Sequence, residues 1–312
     1  MPNPPLVVCL MGPTASGKTD FAVRLVDRFP LDIVSVDSAL VYRGMDIGTA
    51  KPGPDVLAVA PHRLIDVCEP ENAYSAGRFV RDAMAEIGKI HAAGRVPLLV
   101  GGTMLYFRAL MEGIADLPAA DVDVRAELDR EAVRRGWPAL HDDLRAVDPA
   151  AAARIEPGDR QRIQRALEVF RVSGRPLTDW QRSAERRAGD FDYLKFALSD
   201  PDRHVLHERI NRRFGQMLDA GFVDEVRSLR RRSGLSADSS AMRAVGYRQV
   251  WRHLDGQINL ETATLQAQAA TRQLAKRQLT WLRSESELHS YDPLDKGSAD
   301  AISAQVGQKL NE

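Results

Sequence analysis

The stretch LVVCLMGPTASGKTD, residues 6–20, decides the fold. An apolar β-branched run, Leu6–Met11, leads directly into Gly12, Pro13, Thr14, Ala15, Ser16, Gly17, Lys18 and Thr19. This is the G-x-x-x-x-G-K-[ST] spacing of a phosphate-binding loop of the nucleotide-binding type, in its required place between a strand and a helix. Glycines let the backbone curl so that successive N–H groups face an anion. The helix opening near Gly17 adds its positive end. Lys18 supplies a mobile charge, and the Thr19 hydroxyl can hold Mg²⁺. A polyphosphate or diphosphate is therefore the expected ligand; the motif alone does not say which, or whether a phosphoryl group moves.

Outward from this loop, residues 1–120 alternate strand and helix. Phe21, Ala22, Leu25, Val26 and Phe29 form a helical apolar stripe. Asp32–Ser38 reads as a short strand ending in polar residues, and His62–Cys68 as another. Ser75 is a candidate N-cap for a helix that Gly94 stops. Val96–Val100 is a near-continuous apolar strand, as in a sheet covered on both faces. It ends at Gly101-Gly102-Thr103, followed by a helix over 104–111. The pattern predicts an α/β fold, a P-loop NTPase-like doubly wound parallel sheet, with ligands at the C-terminal strand ends. Asp37, Ser38 and Thr103 fall there.

Past Leu117-Pro118 the chain turns helical and rich in Ala and Arg, with helices expected over 123–135, 137–147 and 159–173. Residues 121–190 read as a helical insertion; residues 1–120 and 191–312 form the catalytic core with a helical C-terminal region. A return strand is expected over 191–198, then helices over 203–220, 222–232, 242–254 and 259–283, an edge strand over 288–291 and a terminal helix over 299–310.

The whole chain carries 43 basic and 43 acidic residues, so net charge names no partner. Between Arg203 and Arg283, however, fifteen Arg or Lys face seven Asp or Glu. Two cysteines, Cys9 and Cys68, each in an apolar run, read as reduced core residues of a cytoplasmic protein. No apolar run reaches the ~18 residues that span a bilayer.

The candidate chemistry has several readings. Asp37 suits a general base, a metal ligand or a loop cap. Thr103 stands where a phosphoryl-transfer enzyme would carry a metal-ordering acid; it also suits a simple helix cap. Arg209 and Arg213 lie one turn apart on one helix face, as a diphosphate clamp or a solvated surface. Arg243–Arg248 and Lys276–Arg283 mix cations with aromatics, as nucleic-acid surfaces do, although Trp281 also suits a core. Arg160–Arg165 adds a basic face in the insertion.

In this order, these residues resemble the bacterial tRNA isopentenyltransferase family, the tRNA dimethylallyltransferases. The resemblance rests on GPTASGKT at 12–19, DSALVYRGMDIGTAKP at 37–52, PHRLIDV at 61–67, GGTMLYFRAL at 101–110, DRQRIQRALEVF at 159–170, ERINRRFGQML at 208–218, AVGYRQ at 244–249 and TRQLAKRQLTWLR at 271–283. Ala39-Leu40 and Ala244 depart from the commoner Gln-Val and Cys. The resemblance implies transfer of a dimethylallyl group from dimethylallyl diphosphate to the exocyclic amine of the adenine just 3′ of certain anticodons. It implies that Asp37 is the base, with Thr103 beside the amine or the bridging oxygen. It gives Lys18, the loop amides of residues 14–19, Arg209, Arg213 and Mg²⁺ near Thr19 to the leaving diphosphate. It further implies contacts to a tRNA anticodon stem-loop from Asp37, Ser38, Ala39, Leu40, Thr103, Arg125, Gln161, Arg162, Ile163, Gln164, Arg165, Arg243, Ala244, Val245, Gly246, Tyr247, Arg248, Lys276, Arg277, Gln278, Leu279, Thr280, Trp281, Leu282 and Arg283, in a monomer. Alternatives from the residues are a transferase acting on free adenylate, a P-loop small-molecule kinase and a noncatalytic RNA-binding protein. A free nucleotide needs no long basic surface, and Gly101-Gly102-Thr103 lacks the acid a kinase uses.

Overall fold

The computed structural model describes residues 4–115, 117–183, 191–199 and 202–312. Its first compact unit comprises Met1–Arg108 and Asp190–Glu312. In chain order it begins with β1 (Leu6–Met11), α1 (Lys18–Arg28), β2 (Leu31–Val36), α2 (Pro54–Val59), β3 (His62–Arg63), α3 (Ala76–Ala92), β4 (Val96–Gly101) and α4 (Met104–Glu112), whose last turn passes into the second unit. The second unit, Ala109–Gly189, holds α5 (Val122–Arg135), α6 (Trp137–Val147), α7 (Pro149–Ala152), α8 (Arg160–Ser173) and α9 (Leu177–Ser183). The first unit resumes with β5 (Asp192–Leu198), α10 (Arg203–Asp219), α11 (Phe222–Arg230), α12 (Tyr247–Leu254), α13 (Leu260–Arg283), β6 (Leu288–Tyr291) and α14 (Ser298–Leu310).

All six strands are parallel, in the order β3-β2-β4-β1-β5-β6. The doubly wound parallel sheet expected from the sequence is the one observed. Its inner strands are buried almost throughout, because helices cover both faces. Val8, Leu10, Leu31, Ile33, Leu98 and Phe196 pack with Leu25 of α1 and Ile302 and Val306 of α14. Burial at ~25 cal/mol per Å² of apolar surface makes this the main stabilising term of the unit. Ser75 Oγ accepts from the Arg78 amide at 3.2 Å and caps α3.

Two elements differ from expectation. Only His62–Arg63 of the run 62–68 pairs as a strand. Leu64 and Asp66 take positive φ, 62° and 54°, which ends the extended ladder. Val67 and Cys68 instead donate their amides to the Val41 carbonyl. The helix expected over 242–254 is broken: a 3₁₀ turn at Ala241–Arg243 is followed by Gly246 at φ +93°, and α12 starts only at Tyr247.

In the second unit, no strand occurs among the described residues. Its core joins Leu128, Leu140, Leu144, Ile163, Leu167 and Val169, which recur at helical spacing along α5, α6 and α8. Glu168 is fully buried there. It accepts a two-pronged contact from Arg125 at 2.8 and 3.0 Å, one from Arg165 at 2.8 Å, and the Asp121 amide at 2.8 Å. The insertion's expected end at residue 190 lies outside the described residues.

Candidate active site

The phosphate loop leaves β1 at Met11 and turns through a Ser16 N–H to Pro13 C=O bond of 3.3 Å. Gly17 at φ +87° closes the loop, a conformation that costs a residue with a Cβ. No side chain caps α1, which leaves its opening amides without a side-chain acceptor, as an anion site requires. Thr14 through Thr19 line a cavity of about 700 Å³. Gly12 and Pro13 form the buried foot of the loop instead, and their carbonyls accept from Lys18 Nζ at 3.0 and 2.7 Å. Burial pulls the Lys18 amine down to about 7; the Asp37 charge opposes this and the Arg213 charge adds to it. The same burial lowers Arg213, again against Asp37.

Asp37 and Thr103 meet because β2 and β4 are parallel neighbours, in register Val36 with Gly101. Both strands end at the same level, and both residues line the cavity of the loop. Asp37 Oδ1 accepts the amides of Ala39 at 2.8 Å and Leu40 at 3.3 Å. Among the described residues, Oδ2 takes no hydrogen bond. Asp37 therefore caps its own turn with one oxygen and leaves the other unengaged among the described residues. Thr103 Oγ1 accepts the Ser38 amide at 3.0 Å and donates to Ser38 Oγ at 3.3 Å. The Thr103 amide donates to the Val36 carbonyl at 3.2 Å.

From α10, Arg213 lines the cavity and donates to the Thr49 carbonyl at 3.3 Å. Arg209 stands beside the loop: a Cβ on Gly17 would lie 3.3 Å from its Nη2. Lys18, Arg209 and Arg213 thus stand at the loop, and the sole carboxylate among the described lining residues of the cavity is Asp37.

Glu225 carried no signal in the sequence, and Gln278 was expected as a contact to RNA rather than as a support of the site. Glu225 of α11 accepts the amides of Asp46, Ile47 and Gly48 at 2.9, 2.7 and 3.2 Å, and the Tyr247 hydroxyl at 2.6 Å. This nest pins the polar loop that brings Gly48, Thr49 and Ala50 to the cavity. Gln278 is 8% exposed; its Oε1 accepts the Thr14 amide at 2.9 Å and its Nε2 donates to the Gly102 carbonyl at 2.7 Å. The Thr14 amide, expected to face the diphosphate, is committed to this bond instead.

The residues expected at RNA divide by position. Ser38, Ala39, Leu40, Arg243, Ala244, Val245, Tyr247, Arg277 and Trp281 line the same cavity as Asp37. Trp281 is 37% exposed, with the Arg108 guanidinium 5.6 Å from its ring centre. Lys276, Leu279, Thr280, Leu282 and Arg283 line a separate cavity of about 500 Å³ with Arg203, His207 and Arg272. Arg248 is exposed, whereas the Gly246 position and the side chains of Tyr247, Gln278 and Leu282 are buried. Within the second unit, Gln161 and Arg162 are exposed, Ile163 is core, and Gln164 Nε2 donates to Asp129 at 2.8 Å.

No group of three or more His, Cys, Asp or Glu among the described residues can hold a metal. Thr19, whose hydroxyl is an oxygen donor of the kind Mg²⁺ takes, lines the cavity beside Lys18. No helix among the described residues is long and apolar enough to cross a membrane.

Known proteins resemble this chain in sequence and in fold. The family described as IPP transferase matches residues 40–285. A protein of Thioalkalivibrio sulfidiphilus named tRNA dimethylallyltransferase is 59% identical over 286 residues, covering 91% of this chain and 89% of its own. One of the same name from Thiobacillus denitrificans is 56% identical over 307 residues, covering 97% and 98%. The structure of a full-length tRNA isopentenylpyrophosphate transferase from Bacillus halodurans superposes with a TM-score of 0.72 at 37% identity, covering 98% of this chain and 97% of that one. A eukaryotic dimethylallyltransferase shares the fold, with a TM-score of 0.80 at 23% identity over 97% of this chain and 77% of its own.

Proposed function

The chain belongs to the IPP transferase family, and from that premise we propose that it is a tRNA dimethylallyltransferase working as follows. Dimethylallyl diphosphate is the donor. The acceptor is the exocyclic N6 amine of the adenosine 3′-adjacent to the anticodon, in tRNAs reading codons that begin with U. The products are N6-isopentenyladenosine and diphosphate.

The observation that carries this reading is the sharing of one cavity by the phosphate loop, Asp37 and Thr103. The N6 lone pair is delocalised into the purine ring, so the amine is a weak nucleophile. As the N6–C1 bond forms and the C1–O bond of the diphosphate breaks, N6 loses a proton to Asp37 Oδ2, an acceptor role worth ~10²–10⁴-fold. Thr103 borders the amine. The charge that develops on the bridging oxygen is met by Lys18, Arg209, Arg213 and the uncapped amides opening α1. Thr19 would hold a Mg²⁺ ion, which would supply further neutralisation of the leaving group when bound.

The purine must leave its stack to enter such a cavity. Arg243, Arg248, Arg277 and Trp281 suit the flanking RNA, and the insertion, through Gln161, Arg162, Arg125 and Arg165, suits the anticodon stem. The reading is of a monomer in a cytoplasmic setting, the second of which the free thiols of Cys9 and Cys68 fit.

The test is incubation of the protein with unmodified tRNA and dimethylallyl diphosphate, followed by mass analysis of the digested nucleosides. A prenylated adenosine is the expected product. Prenylation of free AMP in preference to tRNA, or phosphate transfer from ATP, overturns the proposal.

A further inference from the structure

Gln278 links the two halves of the cavity through backbone contacts alone. Thr14 brings only a donor and Gly102 only an acceptor, so the amide has one orientation that satisfies both. The Gly102 carbonyl belongs to the peptide whose N–H is that of Thr103. That N–H donates to Val36, whose carbonyl lies in the peptide preceding Asp37. A continuous run of hydrogen bonds thus joins the diphosphate loop to the Asp37–Thr103 pair, and Gln278 is its only side-chain link. The packing is close: a Cβ on Gly102 would meet Gln278 Nε2 at 2.5 Å and the Gly12 carbonyl at 3.1 Å.

We propose that Gln278 is a positioning residue for group transfer, setting the gap between the diphosphate cradle and the Asp37–Thr103 pair. The inference rests on the transferase reading above. Its chemical basis is distance. Carbon C1 is held through the diphosphate by the loop, and the amine through Asp37 and Thr103, so their separation depends on how the two are tied. A displacement of about 1 Å in such an arrangement costs about 100-fold in rate. A buried amide with both functions engaged is not a contact for RNA, which separates Gln278 from the exposed Lys276, Arg277 and Thr280 around it.

Two variants test this, with the wild type measured first. Gln278→Leu removes both bonds. Its kcat on tRNA is expected to fall about 10- to 100-fold with KM for either substrate unchanged. Gln278→Glu supplies a switch. A protonated carboxyl offers one donor and one acceptor, as the amide does, whereas a carboxylate offers only acceptors and faces the Gly102 carbonyl. The ratio of its kcat to the wild-type kcat is therefore expected to rise as pH is lowered from mildly alkaline to mildly acidic, at temperatures where melting curves show both proteins folded. A flat ratio, an unchanged kcat in Gln278→Leu, or a loss confined to KM for the diphosphate overturns the inference while leaving the transferase reading intact. If Gln278→Leu does not fold, the pH profile of Gln278→Glu decides. Absence of product with the wild type overturns both.

Discussion

Thr103 Oγ1 accepts the backbone N–H of Ser38 at 3.0 Å, which ties the end of β4 to the residue that follows Asp37. The bond crosses between two parallel strands that finish at the same level. It fixes the turn in which Asp37 Oδ1 is already engaged by Ala39 and Leu40. The second carboxylate oxygen is thereby oriented without being consumed.

Asp37→Asn separates the two tasks of this residue. Its carbonyl oxygen still accepts the Ala39 and Leu40 amides, so the turn and the melting temperature should hold. Proton acceptance is lost, and kcat should fall by ~10²–10⁴. Gel-shift affinity for tRNA should change little. Undiminished turnover with a radiolabelled donor would exclude Asp37 as the base.

Thr103→Val removes the acceptor of the Ser38 amide, whereas Thr103→Ser keeps it. A hydrogen bond worth about 0.5–1.5 kcal/mol corresponds to about a 2- to 10-fold loss of kcat in the valine variant. Near-normal turnover is expected for serine. Equal losses in both variants would point to the methyl group rather than the hydroxyl.

Lys18 should titrate near neutrality, because burial pulls it from its ordinary 10.5 to about 7. A bound diphosphate favours the ammonium form. Binding should therefore take up protons at mildly alkaline pH and not at clearly acidic pH, as calorimetry in buffers of different ionisation enthalpy reads out. The stability sign follows. Between about 7 and 10.5 the unfolded chain holds more protons on this lysine than the folded one. Stability should thus rise with pH across that window relative to Lys18→Met. The methionine variant should lose both the proton uptake and the prenyl transfer.

Glu225→Ala leaves three backbone donors of the loop at 46–48 without their acceptor. Unsatisfied donors cost about 1–3 kcal/mol each, discounted where water reaches them, so a net loss of about 3 kcal/mol in urea unfolding is expected. Amide exchange at Asp46, Ile47 and Gly48 should quicken. Tyr247→Phe, which removes only the hydroxyl donor, should cost about 1 kcal/mol.

Glu168→Ala strips the buried acid from between Arg125 and Arg165; these guanidiniums are 43% and 28% exposed and regain water, so the insertion should lose about 1–3 kcal/mol. Limited proteolysis should then cut first within residues 109–189. A proteolysis pattern like that of the wild type would show that water replaces the acid in full.

By itself the sequence determined whatever depends on neighbours along the chain. The loop from Gly12 to Thr19 was legible because its spacing is its geometry. The strands Leu6–Met11 and Val96–Val100 were legible because burial on both faces demands unbroken apolar runs. Asp37 and Thr103 could be set at strand ends for the same reason. The irregular stretch after Arg63 was not legible, since positive φ at Leu64 and Asp66 leaves no mark in the apolar pattern. Only the tertiary structure decided which distant groups share a hydrogen bond. Gln278 meets Thr14 across 264 positions, and Glu225 meets Ile47 across 178. Such partners are selected when helices pack, by the requirement that a buried amide or carboxylate find its complement. That requirement is met in space rather than along the chain, so no local spacing announces it.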